Sequence, residues 1–310
     1  MNDQILFLEP VFKEKIWGGN NLRKMFNYKI PSESTGECWA ISGHKDGSTI
    51  IKNGPFKGQT LKNVFENNKD LFNNIENDEF PLLLKIIDAN ENLSIQVHPN
   101  DNFASRFNEK GKSEFWIILD TKENSNIIYG HNATTKAEFK KYITDNNWDK
   151  LLKYKNIKKD DCLYIPAGKI HSINSGTTLL EIQQSSDITF RLYDYNRLGL
   201  DGSLRKLHIK EAIEATTIPD ESHKLNINEY KIGMNSFTTY IDNEYFKIER
   251  WIIKEKFEFQ PEQFLLFSVI EGNGYINDCI IKTGDHFITT SKVKNLNITG
   301  NLNLVISSNN

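Results

Sequence analysis

Cysteine is scarce in this sequence of 310 residues, which contains only Cys38, Cys162 and Cys279. Their number is odd, they lie far apart, and none has the Cys-x-x-Cys spacing of a thiolate zinc site. A disulfide framework and a thiolate metal site are therefore not indicated. A reduced, cytoplasmic location is the expectation.

An excess of basic charge is also lacking, since 38 Lys and Arg face 41 Asp and Glu and the net charge is -3. Proteins that bind nucleic acid usually present a basic face, so this balance argues against a nucleic-acid partner. An anionic substrate would have to be bound by a local cluster of Arg and Lys.

Long hydrophobic runs are missing as well. The longest apolar segments, PLLLKII (81–87) and FLLFSVI (264–270), have the length of strands and are too short to cross a bilayer. The first residues include acidic side chains and no sustained apolar stretch before Lys13. We therefore expect no signal peptide and no membrane partner.

Short β-like runs separated by Gly, Pro, Asn and Asp dominate the sequence. Many short strands at such spacing predict a mainly β protein, either a sandwich or a barrel. Representative runs are CWAIS (38–42), LSIQVH (93–98), EFWIIL (114–119), TLLEIQQ (178–184) and FLLFSVIEGNGYI (264–276).

Apolar residues near helical spacing interrupt this pattern at two places, near 60–76 and 134–155, and predict helical insertions. A third helix is expected around 208–215. It is followed by a polar segment with a proline, the best candidate for a linker. The sequence thus predicts a larger β domain over 1–218 and a smaller β domain over 219–310.

Four polar side chains stand out among the strands: Gln96, His98, Glu114 and His171. Gln96 and His98 are two residues apart in one strand and so share a face. Glu114 begins the next strongly apolar strand, and His171 follows the turn formed by Pro166 and Gly168. Neighbouring strands of a small barrel can bring such positions together, where two imidazoles, a carboxylate and an amide suit a divalent cation.

The alternative for each of these residues is a simple hydrogen-bonded role. A single His on a strand is usually a satisfied core or surface residue, and Glu114 alone could be a charge at a sheet edge. Gln96 is the least secure of the four, because Gln is an uncommon metal ligand. Only the joint arrangement favours a metal.

Several longer segments resemble the type I mannose-6-phosphate isomerases of the cupin superfamily, in the short bacterial form. They are PLLLKIIDANENLSIQVHPND, GKSEFWII, IPAGKIHSI and SSDITFRLYDYNR, with further similarity at WGG, GECWAISGH and VIEGNGYI…KTGDHF. The resemblance covers nearly the whole chain. It implies a cupin-type β-barrel or jelly roll with helical insertions, plus a second, smaller β domain of cupin type without a metal.

The same resemblance implies that one zinc ion per chain is bound by Gln96, His98, Glu114 and His171. It places the family's catalytic arginine at Arg191. The alternative for Arg191 is a structural ion pair with Glu181 or Asp194. The chain departs from the family at Asp161, where cupins usually have Gly, and at Ser113, where Thr is commoner; neither residue is a ligand.

The implied reaction interconverts mannose 6-phosphate and fructose 6-phosphate through a cis-enediol. It requires a Lewis acid, a base and a cationic pocket for the phosphate. Candidates for substrate contact are Lys85, Ser94, Lys112 and Glu181. Lys112 should point the same way as Glu114, and Lys85 should point into the cavity because it interrupts an apolar run. Glu181 could be a base or could orient a ligand.

Two other functions compete with the isomerase. Two His and a carboxylate on a cupin barrel also form the iron site of non-haem oxygenases. A non-catalytic cupin could bind a sugar phosphate as a sensor. In each case the expected partner is a small molecule, a hexose 6-phosphate for the isomerase, and the chain is expected to be a monomer or a weak homo-oligomer.

Overall fold

The computed structural model describes residues 5–310 and is built mainly from antiparallel strands. In chain order the strands are β1 (Ile5–Glu9), β2 (Val11–Gly19), β3 (Thr35–Ser42), β4 (Ile50–Ile51), β5 (Leu82–Ala89), β6 (Ile95–Val97), β7 (Glu114–Thr121), β8 (Asn126–His131), β9 (Leu152–Asn156), β10 (Cys162–Ile165), β11 (His171–Ser172), β12 (Thr177–Gln184), β13 (Phe190–Tyr193), β14 (Asn228–Ile232), β15 (Asn235–Asp242), β16 (Lys247–Ile253), β17 (Phe257–Phe259), β18 (Leu265–Ile276), β19 (Cys279–Lys282), β20 (His286–Thr289) and β21 (Leu296–Ser308).

Short helices connect or cover the strands. The α-helices are α1 (Asn21–Phe26), α2 (Leu61–Asn67), α3 (Asp101–Ala104), α4 (Lys136–Thr144), α5 (Trp148–Leu151) and α6 (Ile209–Ala215), and 3-10 turns lie at Gly54–Phe56, Lys69–Phe72 and Ser105–Phe107. Within residues 5–310, none of these helices has the length and apolar character needed to span a bilayer.

Two antiparallel sheets form the first cupin unit. One has six strands in the order β10-β7-β12-β5-β3-β2, and the other has five in the order β13-β6-β11-β8-β9. Apolar side chains from both sheets meet in one cluster, including Trp116 from β7 and Ile127 from β8. The sheets therefore face each other, as expected for the mainly β cupin fold.

The central strands of the six-stranded sheet are buried on both faces. On β5, Leu84 and Ile86 pack in an apolar cluster that also contains residues of the C-terminal strands, such as Ile248. Ile87 instead packs between the two sheets. Lys85 lies on the inner side with Ile87 and lines a cavity there. Burial on both faces explains why this strand reads as a continuous apolar run, and alternation explains why its one lysine points inward.

Helices α4, α5 and α6 cover the outer face of the five-stranded sheet. Phe139, Leu151 and Ile213 pack there in one apolar cluster. Helix α4 begins after Thr135, whose hydroxyl accepts a hydrogen bond from the backbone N–H of Glu138 at 3.2 Å.

The second helical insertion, predicted over 134–155, ends earlier than predicted. Residues from Leu152 onward form β9, which pairs with β8. Pairing with a neighbouring strand outweighs the local helical spacing there.

The second cupin unit is a ten-stranded arrangement. Its path is β14-β15-β16-β21-β18-β20-β1-β4, with β17 and β19 paired to β21 and β18. Strand β1 pairs with β20, so that Leu6 lies opposite Ile288, and it pairs with β4 on its other side. The predicted division into domains 1–218 and 219–310 therefore places β1 in a different domain from β20, the strand with which it pairs.

A buried histidine lies in this second unit. His286 is 1% exposed, and its Nε2 is 2.8 Å from the Tyr28 hydroxyl while its Nδ1 is 2.9 Å from Ser268 Oγ. Tyr28 donates its proton to the carbonyl of Gly284 at 2.7 Å, so it accepts from Nε2–H of His286. Burial lowers the pKa of His286 to about 3, and the side chain is therefore neutral in the folded protein.

We expect the free energy of unfolding to fall as the pH drops below about 6.5, because the unfolded histidine then binds a proton that the folded one does not. For His286 alone, the loss between pH 7 and pH 5 should be about 2 kcal/mol. His286→Gln should reduce this pH dependence, as measured by urea unfolding at both pH values. An equally steep loss in the variant would contradict the assignment.

Candidate metal centre and active site

The ends of three strands position the candidate metal ligands. His98 follows β6, Glu114 begins β7 and His171 begins β11. All three side chains are buried, and their ligand atoms lie within 4.8 Å of one another. The two facing sheets thus bring together residues that are far apart along the chain.

The hydrogen bonds of both histidines determine which ring nitrogen is free. His98 Nδ1 lies 2.8 Å from the carbonyl oxygen of Ile188, and His171 Nδ1 lies 2.9 Å from that of Lys169. A carbonyl can only accept, so each Nδ1 carries the proton and each Nε2 presents a lone pair. Burial, with Lys112 nearby, lowers the pKa of His98 to about 3 and also lowers the pKa of His171.

Two buried electron-pair donors face each other without a hydrogen between them. His98 Nε2 and Glu114 Oε1 are 3.1 Å apart, and neither atom has a hydrogen-bond partner. His171 Nε2 lies 3.7 Å from the other carboxylate oxygen of Glu114. Unpaired acceptors are costly in a buried site, and a divalent cation satisfies imidazole nitrogens and a carboxylate together. The residues present therefore fit a metal ion.

Gln96 lies beside this group. Its register partners are His171 on β11 and Arg191 on β13, so the three side chains share the inner face of the five-stranded sheet. Its Nε2 is 3.4 Å from His171 Nε2, and its Oε1 accepts a hydrogen bond from Ser94 Oγ at 3.1 Å. Rotation of the amide by a half-turn exchanges oxygen and nitrogen without changing its shape, which directs Oε1 at the metal group.

Glu114 is the charged centre of the site. The ammonium of Lys112 lies 2.9 Å from Oε1, although it is not aligned for a hydrogen bond, and Trp116 Nε1 donates to Oε2 at 3.0 Å. Burial raises the pKa of Glu114, but the opposing effect of Lys112 and His98 is larger. The net pKa of Glu114 is therefore well below its ordinary value. Glu114 is therefore ionised and available as a ligand.

A small cavity, lined in part by Gln96 and Lys112, adjoins the metal group. Six of the residues predicted from the sequence line it: Lys85, Ser94, Gln96, Lys112, Glu181 and Arg191. The sequence reasoning missed four charged side chains that also line it: Lys15, Glu37, Asp187 and Arg205. Glu37 and Asp187 lie within the family-like segments GECWAISGH and SSDITFRLYDYNR, and Lys15 lies two residues before WGG, so a local signal was present for these three. Arg205 lies in the irregular segment between β13 and α6, where no pattern marks it.

Most cations of the cavity already have a carboxylate partner. The ion pairs are Lys15–Glu37 at 3.2 Å, Lys85–Asp187 at 3.0 Å, Lys112–Glu114 at 2.9 Å and Arg205–Asp194 at 3.1 Å. Burial lowers the pKa of Lys85, but the carboxylates of Asp187, Glu37 and Glu181 outweigh it and the net pKa is raised. These lysines are held in place as cations.

Arg191 differs from the other cavity cations. Within residues 5–310 its guanidinium forms no salt bridge, and its buried Nε has no hydrogen-bond partner. Burial and the neighbouring Arg205 lower its pKa. The structural ion pairs considered from the sequence are not formed, since Asp194 pairs with Arg197 and Arg205 instead. A partly buried guanidinium of this kind is ready to bind an anion.

Glu181 is the second buried carboxyl group of the site. It is 3% exposed, accepts a hydrogen bond from Trp116 Nε1 at 3.0 Å, and lies between Trp116 and Lys85 in register. Burial and the nearby Glu114 raise the pKa of Glu181 to about 7. A carboxyl group with this pKa can accept and return a proton near neutral pH.

Comparisons with known proteins agree along the whole chain. Residues 5–115 match the family model for the catalytic domain of type I phosphomannose isomerase, and residues 236–309 match that for the mannose-6-phosphate isomerase cupin domain. The mannose-6-phosphate isomerase ManA of Bacillus subtilis is 42% identical over 316 residues, with 99% of each chain covered. The chain belongs to the type I mannose-6-phosphate isomerase family.

Other members of the type I mannose-6-phosphate isomerase family support this placement. The mannose-6-phosphate isomerase of Streptococcus mutans is 39% identical, with 98% of each chain covered. A crystal structure of the mannose 6-phosphate isomerase from Bacillus subtilis has a TM-score of 0.97 at 43% identity, covering 99% of this chain and 100% of that one. The predicted family and the predicted mainly β cupin fold are therefore confirmed.

A more distant structure shows how far the fold extends. The phosphomannose isomerase from Salmonella typhimurium matches with a TM-score of 0.77 at 15% identity, over 99% of both chains. At this level of identity the likeness concerns the fold alone.

Proposed function

We propose that this enzyme interconverts mannose 6-phosphate and fructose 6-phosphate through a cis-enediol, with one zinc ion held by Gln96, His98, Glu114 and His171. The observation that carries the proposal is the buried His98–Glu114–His171 group, in which His98 Nε2 and Glu114 Oε1 have no hydrogen-bond partner, beside a cavity lined by several lysines and arginines. When bound, the zinc ion would act as a Lewis acid that polarises the sugar carbonyl and stabilises negative charge on the adjacent oxygens.

Glu181 is assigned to proton transfer between C1 and C2 of the sugar. It lines the cavity, and a pKa of about 7 lets the same carboxyl group remove a proton and return it. Trp116 holds its position by donating one hydrogen bond. Return of the proton from a single carboxyl group places it on the same face of the enediol.

Arg191 is assigned to the charge that develops on the enediol oxygens. Its register partner is the metal-centre residue Gln96, so both lie on the same face of the sheet. Within residues 5–310 its guanidinium forms no ion pair with a carboxylate, and its Nε has no hydrogen-bond partner. A preorganised cation of this kind stabilises a developing anion without reorganisation.

The phosphate group is assigned to the cationic side of the cavity, with Arg205 as its main contact and Lys85, Lys112 and Ser94 nearby. Arg205 is fixed by Asp194, which leaves other N–H groups of its planar guanidinium free to face phosphate oxygens. The cluster supplies local positive charge to a protein whose net charge is -3.

The activity is tested by metal analysis of the purified protein together with an assay that couples fructose 6-phosphate formation to NADPH. We expect one zinc ion per chain, loss of turnover after chelation and recovery on adding zinc. Full activity in metal-free protein would overturn the zinc chemistry. Binding of mannose 6-phosphate without turnover would favour a sensor, and oxygen uptake would favour an oxygenase.

The cis-enediol is tested by running the reaction in deuterium oxide. A proton carried by Glu181 exchanges with solvent, so deuterium should appear at C2 of mannose 6-phosphate as read by NMR. Turnover without any incorporation would favour direct hydride transfer.

Changing Arg205 to Gln should raise KM for mannose 6-phosphate by about ten- to a hundredfold, the range of one lost charge-assisted hydrogen bond. The rate constant kcat should change less, because the phosphate does not react. Arg197→Gln is the matched control, since Arg197 also pairs with Asp194 but does not line the cavity. Equal effects of the two changes, measured by steady-state kinetics, would exclude a specific phosphate contact.

A further inference from the structure

The sheet of the second cupin unit ends in a strand with one unpaired edge. Strand β14 is the end strand of the ten-stranded sheet and pairs only with β15 within the described chain. All five of its residues are exposed. Such an edge presents free backbone N–H and C=O groups to any strand that can align with it.

The apolar side of the sheet continues to this edge. One row of cross-strand partners crosses the sheet through Val269, Leu304, Trp251, Phe237 and Tyr230. The first four are buried, whereas Tyr230, which stacks on Phe237 with ring centroids 5.0 Å apart, is 45% exposed. The aromatic row therefore stops at the surface with its last ring uncovered.

The turn of the β14–β15 hairpin decides which backbone groups are free. It is two residues long and begins with Gly233 at a φ of 58°. A two-residue turn closes on a hydrogen-bonded pair, and the two kinds of pair then alternate along the strands. Tyr230 therefore directs its backbone groups at β15, whereas Glu229 and Lys231 direct theirs at the open edge.

Tyr230 lies between residues of opposite charge, Glu229 and Lys231, so the same strand of a second copy can present a complementary charge to each. If a second copy pairs antiparallel about a two-fold axis at Tyr230, then Glu229 of each copy lies opposite Lys231 of the other. The two tyrosine rings meet on the apolar side, and the outward backbone groups of Glu229 and Lys231 form the hydrogen bonds. We propose that β14 is the dimer interface of this protein and that its partner is β14 of a second copy.

Strand β9, an end strand of the first cupin unit, shows the opposite pattern. It also has an exposed tyrosine at its centre, Tyr154 at 55% exposure, but its neighbours are Lys153 and Lys155. Self-pairing about Tyr154 would oppose lysine to lysine, which protects that edge from association. The sign pattern at β14 thus favours self-pairing where the pattern at β9 prevents it.

The charge register is tested by sedimentation equilibrium of the full chain over a concentration series. The unchanged protein should be a dimer, and Glu229→Lys or Lys231→Glu should each raise its dissociation constant by about tenfold or more, because every attractive pair becomes repulsive. The double variant, with both charges exchanged, should restore the dimer. Lys57→Glu, which reverses an exposed charge elsewhere, should have no effect.

Several outcomes would overturn the proposal. They are a monomeric unchanged protein at all concentrations, a dimer insensitive to both single changes, and a double variant that stays dissociated although its thermal unfolding is normal. None of these depends on the metal or on turnover, so the test is independent of the proposed activity.

A second test uses Tyr230, which lies on the proposed two-fold axis between the two copies. Residues opposite each other in a non-hydrogen-bonded pair have Cα atoms about 4.5 Å apart, within the range of a disulfide. Tyr230→Cys should therefore form a covalent dimer under mild oxidation, as seen by non-reducing electrophoresis. The unchanged protein, with its own three cysteines, is the control. Absence of a covalent dimer in the variant would exclude an axis at Tyr230.

Discussion

Replacing Glu114 by Gln is expected to empty the metal centre and to lower kcat/KM by about a thousandfold or more. Gln keeps the size of the side chain but removes the negative charge that faces His98 and His171. An uncharged amide binds a divalent cation more weakly than a carboxylate does. Loss of Lewis-acid stabilisation of several kcal/mol corresponds to about three powers of ten in rate. Metal analysis and the coupled assay measure both effects.

Glu181→Gln is the matched control for this change. Both carboxyl groups are buried, and both accept a hydrogen bond of 3.0 Å from the same atom, Trp116 Nε1. Only Glu114 belongs to the metal group. Glu181→Gln should therefore keep the metal while losing turnover, because it removes the proposed proton carrier. Retention of the metal in Glu114→Gln, or its loss in both variants, would contradict the ligand assignment.

The convergence of Gln96, His98, Glu114 and His171 was predictable because its cues are local. Alternation in a strand places Gln96 and His98 on one face, and the Pro-Ala-Gly turn returns the chain so that His171 enters the next strand. Lys112 and Lys85 were predictable for the same reason, one from its spacing to Glu114 and one from its place in an apolar run. Each of these inferences needs only a few neighbouring residues.

The rest of the cavity depends on contacts between distant segments. Glu37 reaches the site because β3 pairs with β5, and Arg205 because Asp194 holds the segment after β13. Likewise, β1 pairs with β20 at the other end of the chain, which no local pattern could show. Strand β9 was missed because pairing with β8 overrides a helix-like spacing. Long-range pairing decides such features, and a single sequence does not reveal it.

Arg191→Ala is expected to lower kcat by about a hundred- to a thousandfold while the metal content stays unchanged. Removal of one preorganised donor to a developing oxyanion has effects of this size. Arg191 lies on the strand next to Gln96 but is not itself a member of the His–Glu–His group. Its loss should therefore act on the transition state and leave the ligands in place.

The conservative change Arg191→Lys separates charge from geometry. Lysine retains a cation but not the planar fork that can reach two oxygens, so we expect it to recover only part of the lost rate. If the guanidinium were only structural, Arg191→Ala would lower thermal stability and leave kcat per folded molecule unchanged. If it were a support for the metal ligands, the metal would be lost together with the rate. The proposed role requires a third result, in which kcat falls at constant zinc content and constant unfolding temperature. We expect this result because Arg191, alone among the cations that line the cavity, forms no ion pair with a carboxylate within residues 5–310.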